Sequence, residues 1–437
     1  MRSASTLFRR KAAASSSAAA ACTRQIACKR HISIATRMAV EYAAERAAPA
    51  AMADVVNGTS AENMKDDLDT PTFASFSRAK INNPLNVSPK PAVRSRIDGL
   101  LEKHNVADVD PFALVSDEIH AMADEMKVLL GSDHPVLQTV VKHFFGTEGK
   151  MIRPTMVLLM SRALRAHEPL AADMDDGETI AKQKRLGLIA ELIHSASLLH
   201  DDVIDGADYR RGISTVSSCF GNKVSILAGD YLLSRASVSL SRLRNVQVVE
   251  CVAKVIEDLV KGEIVQMMDA KAGNDMLFQM YLKKNYLKTA SLFSHSLQAT
   301  AMLGGHSTEA EQIAFEYGDL LGQSFQIQDD LLDFAETLEE LGKMPFTDLQ
   351  SGLATAPVLY AQAEYPELHS MIARKFQHSG DVDAAATCVK KSEGVDMSRS
   401  LAHAFGERSV ETILKLSPSP ERDALARLVT KVLDRKK

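Results

Sequence analysis

Asp201, Asp202 and Asp205 close an apolar segment in LLHDDVIDGADYRRG, residues 198–212, and Arg210 and Arg211 follow at once. Helical periodicity runs from Leu186 to Asp205, with Gly206 placed to end the helix in a left-handed conformation. On such a helix Asp201 and Asp205 share one face, about 5–6 Å apart. The helix end already carries partial negative charge, and at an effective dielectric near 20 two carboxylates repel there by roughly 3 kcal/mol. A hard divalent cation removes that penalty. Oxygen donors without histidine or cysteine suit Mg²⁺, which keeps water ligands and completes its shell from phosphate. One acidic cluster of this kind is ordinarily a solvated helix face. Here the pattern recurs: LLGQSFQIQDDLLDF (320–334) ends a second apolar run with Asp329, Asp330 and Asp333. Two triads on apolar helices that face each other frame a pocket for several Mg²⁺ ions and a diphosphate.

Cationic and polar residues stand where such a ligand needs them. GKMIRP (149–154) sets Lys150 and Arg153 three apart at the start of a helix. Lys288 and Thr289 in YLKTASLF and Lys343 in LGKMPFTDL add point charges and a hydroxyl, and His194 lies seven residues before Asp201, on nearly the same face. Arg210 and Arg211 grip phosphate bidentately. A lone lysine is ordinarily a solvated charge and a lone histidine a satisfied core residue. The neighbouring triads are what single these out.

The elements that must carry these groups are helices. IDGLLEKH, EIHAMADEMKVLL, MVLLMSRALRA and VVECVAKVIEDLVKGEIVQMM all repeat apolar residues at three- and four-residue intervals, and strand-like alternation bounded by hairpin turns is not found. Breaks such as GSDHP (131–135) and SPSPE (417–421) punctuate the run. Hydrophobic residues make up 46% of the 437, enough for a sizeable core, and aromatics only 5%. The expectation is an all-α catalytic domain over 96–437. Residues 47–95, rich in Pro, Asn, Ser and Asp, read as a disordered linker.

Charge divides the chain differently. Up to Val40 there are eight basic residues and no acidic one, which leaves 43 basic against 56 acidic residues in the rest. The acid-free, Ser/Ala-rich start reads as a mitochondrial transit peptide over 1–46, and so points to the mitochondrion (the matrix or the matrix face of the inner membrane). The acidic body argues against nucleic acid as a partner. No stretch has the length and apolarity of a membrane span, so membrane contact is at most peripheral. The five cysteines lack CxxC spacing, which reads as free thiols and no zinc site.

With both DDxxD triads and GKMIRP in place, the sequence resembles the trans-isoprenyl diphosphate synthases, most of all the mitochondrial long-chain polyprenyl type that serves ubiquinone. HPVLQTVVKHFFGTEGKMIRP (134–154), FGNKVSILAGDYLLSRAS (220–237), KGEIVQM (261–267), LKTASLF (287–293) and DLQSGLATAPVLYA (348–361) extend the likeness from about residue 95 to the end. The resemblance implies an isoprenoid-synthase helical bundle around a central apolar cavity, and three Mg²⁺ per active site. Asp201, Asp205 and Asp329 would ligate metal, with Asp202, Asp330 and Asp333 in support. Lys150, Arg153, His194 and Arg211 would hold isopentenyl diphosphate. Arg210, Lys288, Thr289, Gln326 and Lys343 would hold the allylic diphosphate primer. A homodimer is implied, with a hetero-oligomer as the alternative. Glu148, Ser214, Met344 and Leu353 depart from the family pattern, and none of them is a metal ligand.

Product length follows from the floor of the pocket. In short-chain members bulky residues four and five positions before the first aspartate block the path; here those positions are Ser197 and Ala196, both small, with Ile193 and Ala190 beyond. The expected product is longer than C20. The competing readings are a geranylgeranyl diphosphate synthase, a class I terpene cyclase, and a subunit of a hetero-oligomeric synthase. Small residues at 196 and 197 oppose the first. GKxxRP and the second full triad oppose the cyclase, and the intact carboxylates oppose a non-catalytic subunit.

Overall fold

A computed structural model of the chain describes residues 93–131, 134–145, 151–170, 174–210, 212–267, 274–334 and 346–435. The expected transit peptide and most of the expected linker fall outside these residues. The helices, in chain order, are α1 (Val93–Lys103), α2 (Ser116–Leu129), α3 (Pro135–Phe144), α4 (Ile152–His167), α5 (Asp176–Ile204), α6 (Val216–Phe220), α7 (Asn222–Ser241), α8 (Val246–Met267) and α9 (Asn274–Asn285). After a π-helical turn at Tyr286–Ala290 come α10 (Ser291–Leu303), α11 (Thr308–Leu332), α12 (Thr347–Gln350), α13 (Ala356–Ala361), α14 (Leu368–Ala373), α15 (Asp381–Lys391), α16 (Gly394–Ile413) and α17 (Pro420–Leu433). Among the described residues the only strands are Tyr209–Arg210 and Ile213–Ser214, an antiparallel pair in which Arg210 faces Ile213. Two-residue strands are too short to show an alternating pattern, so periodicity does not reveal them.

Helix α5 is the axis of the bundle. Leu186, Leu188, Ile189, Ala190, Leu192, Ile193, Ala196 and Leu199 are all buried, and they cover more than one face of the helix. A helix apolar on several faces belongs inside a protein rather than on its surface. It begins earlier than the apolar periodicity suggests, where Asp175 caps the first turn by accepting from Glu178 N at 2.7 Å. It ends as expected, with Asp205 at the C-cap and Gly206 at φ +64°. Breaks in the sequence become helix starts: Pro135 opens α3 and Pro420 opens α17, with Ser419 accepting from Arg422 N at 3.1 Å.

Close approach sets the separation of the helices that flank the π-turn. A Cβ on Gly322 of α11 would lie 2.5 Å from Ala290 Cα. A Cβ on Gly262 of α8 would lie 2.6 Å from Lys288 Cγ. Both contacts are shorter than any side chain tolerates, so glycine lets α8 and α11 press on the turn from either side.

Candidate active site

The π-turn joins the two aspartate triads. π-Helical turns are rare and concentrate at functional sites, and this one shifts the register so that Lys288 and Thr289 serve different neighbours. The Lys288 ammonium pairs with the Glu263 carboxylate of α8 and donates to Gln266 Oε1 at 3.3 Å. Burial alone would lower the Lys288 pKa, but Asp201, Glu263 and Asp205 around it raise it, so it stays charged. Thr289 Oγ1 donates to Gln326 Oε1 at 2.6 Å, and Gln326 Nε2 donates to Asp330 Oδ1 at 2.9 Å. Consecutive residues of one turn thus address the end of α5 and the end of α11.

At the end of α5 the carboxylates carry more negative charge than their surroundings compensate. Burial pushes Asp201 up to about 7, with Lys288 opposing and Glu263 and Asp205 adding to the rise. Asp205 is raised as well, first by burial and then by Glu263. Asp202 is 2% exposed and receives Arg210 Nε at 2.8 Å, with burial still raising its pKa. The short hairpin that presents Arg210 is pinned by His143 Nε2, which donates to the Ser214 carbonyl at 2.8 Å. The donor set at Asp201 and Asp205 is all oxygen and lacks full compensation, which fits a hard divalent cation. Among the described residues no three acidic, histidine or cysteine side chains already form a metal cage. Water and substrate phosphate would supply the rest of the shell.

At the end of α11 the three aspartates have different employments. Asp330 is buried and receives Tyr281 OH at 2.6 Å, and burial lifts its pKa to about 6. Asp333 accepts the backbone N–H groups of Thr347 at 3.0 Å and Asp348 at 2.9 Å, which holds the start of α12 against α11. Asp329 is the open one, its side chain 49% exposed and paired with Arg435 Nη2 at 2.7 Å. Asp348 joins this acidic group: burial and then Asp330 and Asp333 raise its pKa well above the carboxylate range.

The residues expected at the diphosphates are partly gathered. His194, Asp202 and Arg210 line one cavity with Met151, Phe145 and Leu198. At about 80 Å³ it holds a few water molecules, each taking roughly 30 Å³ in the liquid. Arg153 is the second residue of α4, which follows Met151 at φ +47°, and its guanidinium stacks 4.9 Å from the Phe293 ring centroid. Lys150, Arg211 and Lys343 lie outside the described residues. Of the positions expected to set product length, Ala190, Ile193 and Ala196 are packed into the core, whereas Ser197 is half-exposed and donates to His194 O at 2.9 Å.

Glu263, Gln266, Tyr281, Asp348 and Arg435 were not singled out from sequence. Glu263 and Gln266, three apart in KGEIVQM, are polar positions on one side of a largely apolar helix, which is a usable signal. Asp348 stands in DLQSG without a partner motif. Nothing in the sequence near Arg435 points toward Asp329.

An all-helical bundle with two acidic helix ends around one cationic turn defines a prenyltransferase of the isoprenoid-synthase class. The Polyprenyl synthetase family profile matches residues 134–389, and the chain belongs to that family. It is 41% identical over 339 residues to the mitochondrial solanesyl-diphosphate synthase 1 of Oryza sativa subsp. japonica, covering 76% of this chain and 78% of that one. It is 42% identical over 328 residues to an all trans-polyprenyl-diphosphate synthase of Mus musculus, covering 75% and 79%. A polyprenyl synthase from Caulobacter crescentus CB15, crystallised with calcium and isoprenyl diphosphate, superposes with a TM-score of 0.67 at 27% identity, over 75% of this chain and 97% of that one. The chain is therefore a trans-polyprenyl diphosphate synthase, and its family is Mg²⁺-dependent.

Proposed function

We propose that this chain extends an allylic diphosphate with isopentenyl diphosphate units to a long all-trans polyprenyl diphosphate, beyond C20, for the ubiquinone side chain. The observation that carries this reading is the π-turn, whose adjacent residues act on one triad each: Lys288 through its charge beside Asp201 and Asp205, and Thr289 through Gln326 onto Asp330. Asp201, Asp205 and Asp329 hold Mg²⁺, three ions per active site, and Asp202, Asp330 and Asp333 support them. Bound Mg²⁺ neutralises the charge that collects on the leaving diphosphate. Lys288, Thr289, Gln326, Arg210 and Lys343 orient the allylic diphosphate. Lys150, Arg153, His194 and Arg211 hold isopentenyl diphosphate. The allylic C–O bond breaks, and its electron pair leaves with the diphosphate. The allylic carbon then bonds to the double bond of isopentenyl diphosphate, and the proton lost from that unit goes to the released diphosphate. Apolar helices ending at the triads keep water from the cation.

The catalytic domain spans 96–437, behind a transit peptide at 1–46 and a linker at 47–95. Relatives whose names carry the word mitochondrial support a mitochondrial location, and the matrix or matrix face of the inner membrane is where the substrate would be used. No described helix is long and apolar enough to cross a membrane. Exposed Leu227 and Val238 on α7, and Val246, Val260 and Ile264 on α8, support a homodimer built on those helices.

The test is incubation of the protein alone with Mg²⁺, labelled isopentenyl diphosphate and a choice of allylic primers, followed by sizing of the products. Chains longer than C20 that vanish on chelation of the metal are expected. Products that stop at C20 or shorter would refute the long-chain assignment, and no product without a second protein would refute an active homodimer.

A further inference from the structure

Lysine carries a compact, strongly hydrated charge on a flexible stem, so a lysine that must meet a diphosphate at one point needs something to hold it. Three features of α8 do this for Lys288. The Glu263 carboxylate is in direct ion contact with the ammonium, and the two side chains are 17% and 18% exposed. Gln266 Oε1, one turn further, accepts from the same ammonium at 3.3 Å. Gly262 removes the side chain that would collide with the lysine stem at Cγ, 2.6 Å away. Glu263 and Lys288 both bear on Asp201, the carboxylate raising its pKa and the ammonium opposing the rise, which ties the pair to the first triad.

A buried ion pair adds little to stability over apolar groups of the same size. Its placement beside the first triad, with the ammonium whose charge bears on Asp201 and Asp205, therefore points to the chemistry of the site. We propose that Glu263 is a positioning residue for the allylic primer, fixing the Lys288 ammonium so that it meets the primer diphosphate in one place and stays with it as it departs. Glu263 acts through Lys288 and not as a metal ligand, since its charge is spent on the ammonium. This rests on the reading that Lys288 contacts the allylic diphosphate.

Four variants decide it: E263Q, E263D, K288A and the double variant E263Q/K288A, each checked for folding by circular dichroism. The readouts are KM for geranyl diphosphate, KM for isopentenyl diphosphate, and calorimetric binding of geranyl diphosphate with Mg²⁺ in the absence of isopentenyl diphosphate. E263Q should weaken geranyl diphosphate about 10- to 100-fold, the range typical of residues that orient a ligand-binding group, and leave KM for isopentenyl diphosphate unchanged. E263D, which keeps the charge and shortens the reach, should fall between wild type and E263Q. The double variant should be no worse than K288A. If K288A weakens the primer and E263Q does not, the role of Glu263 is overturned. If the double variant shows additive losses, Glu263 does not act through Lys288, and the proposal is likewise overturned. If K288A leaves primer affinity unchanged, the underlying reading of Lys288 fails instead. Should E263Q not fold, an unchanged primer KM in E263D overturns the proposal by itself.

Discussion

Among the described residues, a buried ionisable group is held either charged by a partner or neutral by burial. Lys288 is of the first kind. Cys251 and His295 are of the second: burial pushes the Cys251 thiol up to about 12 and the His295 imidazole down to about 4, and they meet at 3.4 Å as neutral groups. The consequence is a pH dependence with a definite sign. Below the ordinary histidine pKa of 6.5 the unfolded chain takes a proton at His295, whereas the folded chain takes it only near 4. Between those values the unfolded state binds more protons, so the contribution of His295 falls by up to about 1.4 kcal/mol per pH unit as pH drops. Asp258, pushed up to about 6 by burial, works in the opposite sense over part of that range. Replacing the histidine tests this, with Asp258 Oδ2 its acidic neighbour at 4.0 Å. The melting temperature of wild type minus that of H295Q should shrink from pH 7 to pH 5, and a constant difference would mean that His295 takes its proton within the fold. At this scale the sequence was informative where chemistry repeats at short spacing, as in Asp201 to Asp205 and Asp329 to Asp333. It was silent where a side chain finds its partner across helices, as Tyr281 does at Asp330.

At the scale of elements, helices were legible because their apolar residues recur every three or four positions, and the ends of α3, α5 and α17 were legible from Pro135, Gly206 and Pro420. The π-turn was not, since the one-residue shift it makes in that periodicity is lost in the short apolar run YLKTASLF; Gly262 and Gly322, far away in sequence, make room for it. Helix α5 refines the expectation about product length. Ala196 has no accessible surface, while Ser197, four residues before Asp201, is half-exposed. Both positions are small, but only Ser197 keeps accessible surface. S197F should therefore shorten the product with little loss of stability. A196F should also shorten it, and should cost about 1–3 kcal/mol as an overpacked core position. Product sizing together with thermal melts of the two variants checks this. Unchanged products in both would remove α5 from the wall of the product channel.

For the whole molecule, the telling feature is that the last helix returns to the site. Tyr317 OH of α11 donates to Leu425 O of α17 at 2.9 Å, and Ala107 N donates to Asp423 Oδ2 at 2.9 Å, so α17 is tied both to the second triad's helix and to the segment after α1. Anchored in this way, α17 sets Arg435 over the Phe325 ring at 4.0 Å and onto Asp329 at 2.7 Å. No local pattern announces such a contact, because it is made by tertiary packing across 106 positions. Asp329 is the most open carboxylate of its triad and a proposed Mg²⁺ ligand, so the guanidinium and the cation compete for one carboxylate. With Asp329 half exposed, the pair is worth on the order of 1 kcal/mol or less. Removing the arginine should thus tighten Mg²⁺ binding by up to about fivefold, the same free energy expressed as a ratio of constants. R435A, titrated with Mg²⁺ in the presence of inorganic diphosphate, is expected to bind metal more tightly than wild type and to melt slightly lower without metal. If R435A binds Mg²⁺ no better, the arginine does not compete for Asp329, and the contact serves only to fasten α17 to the bundle.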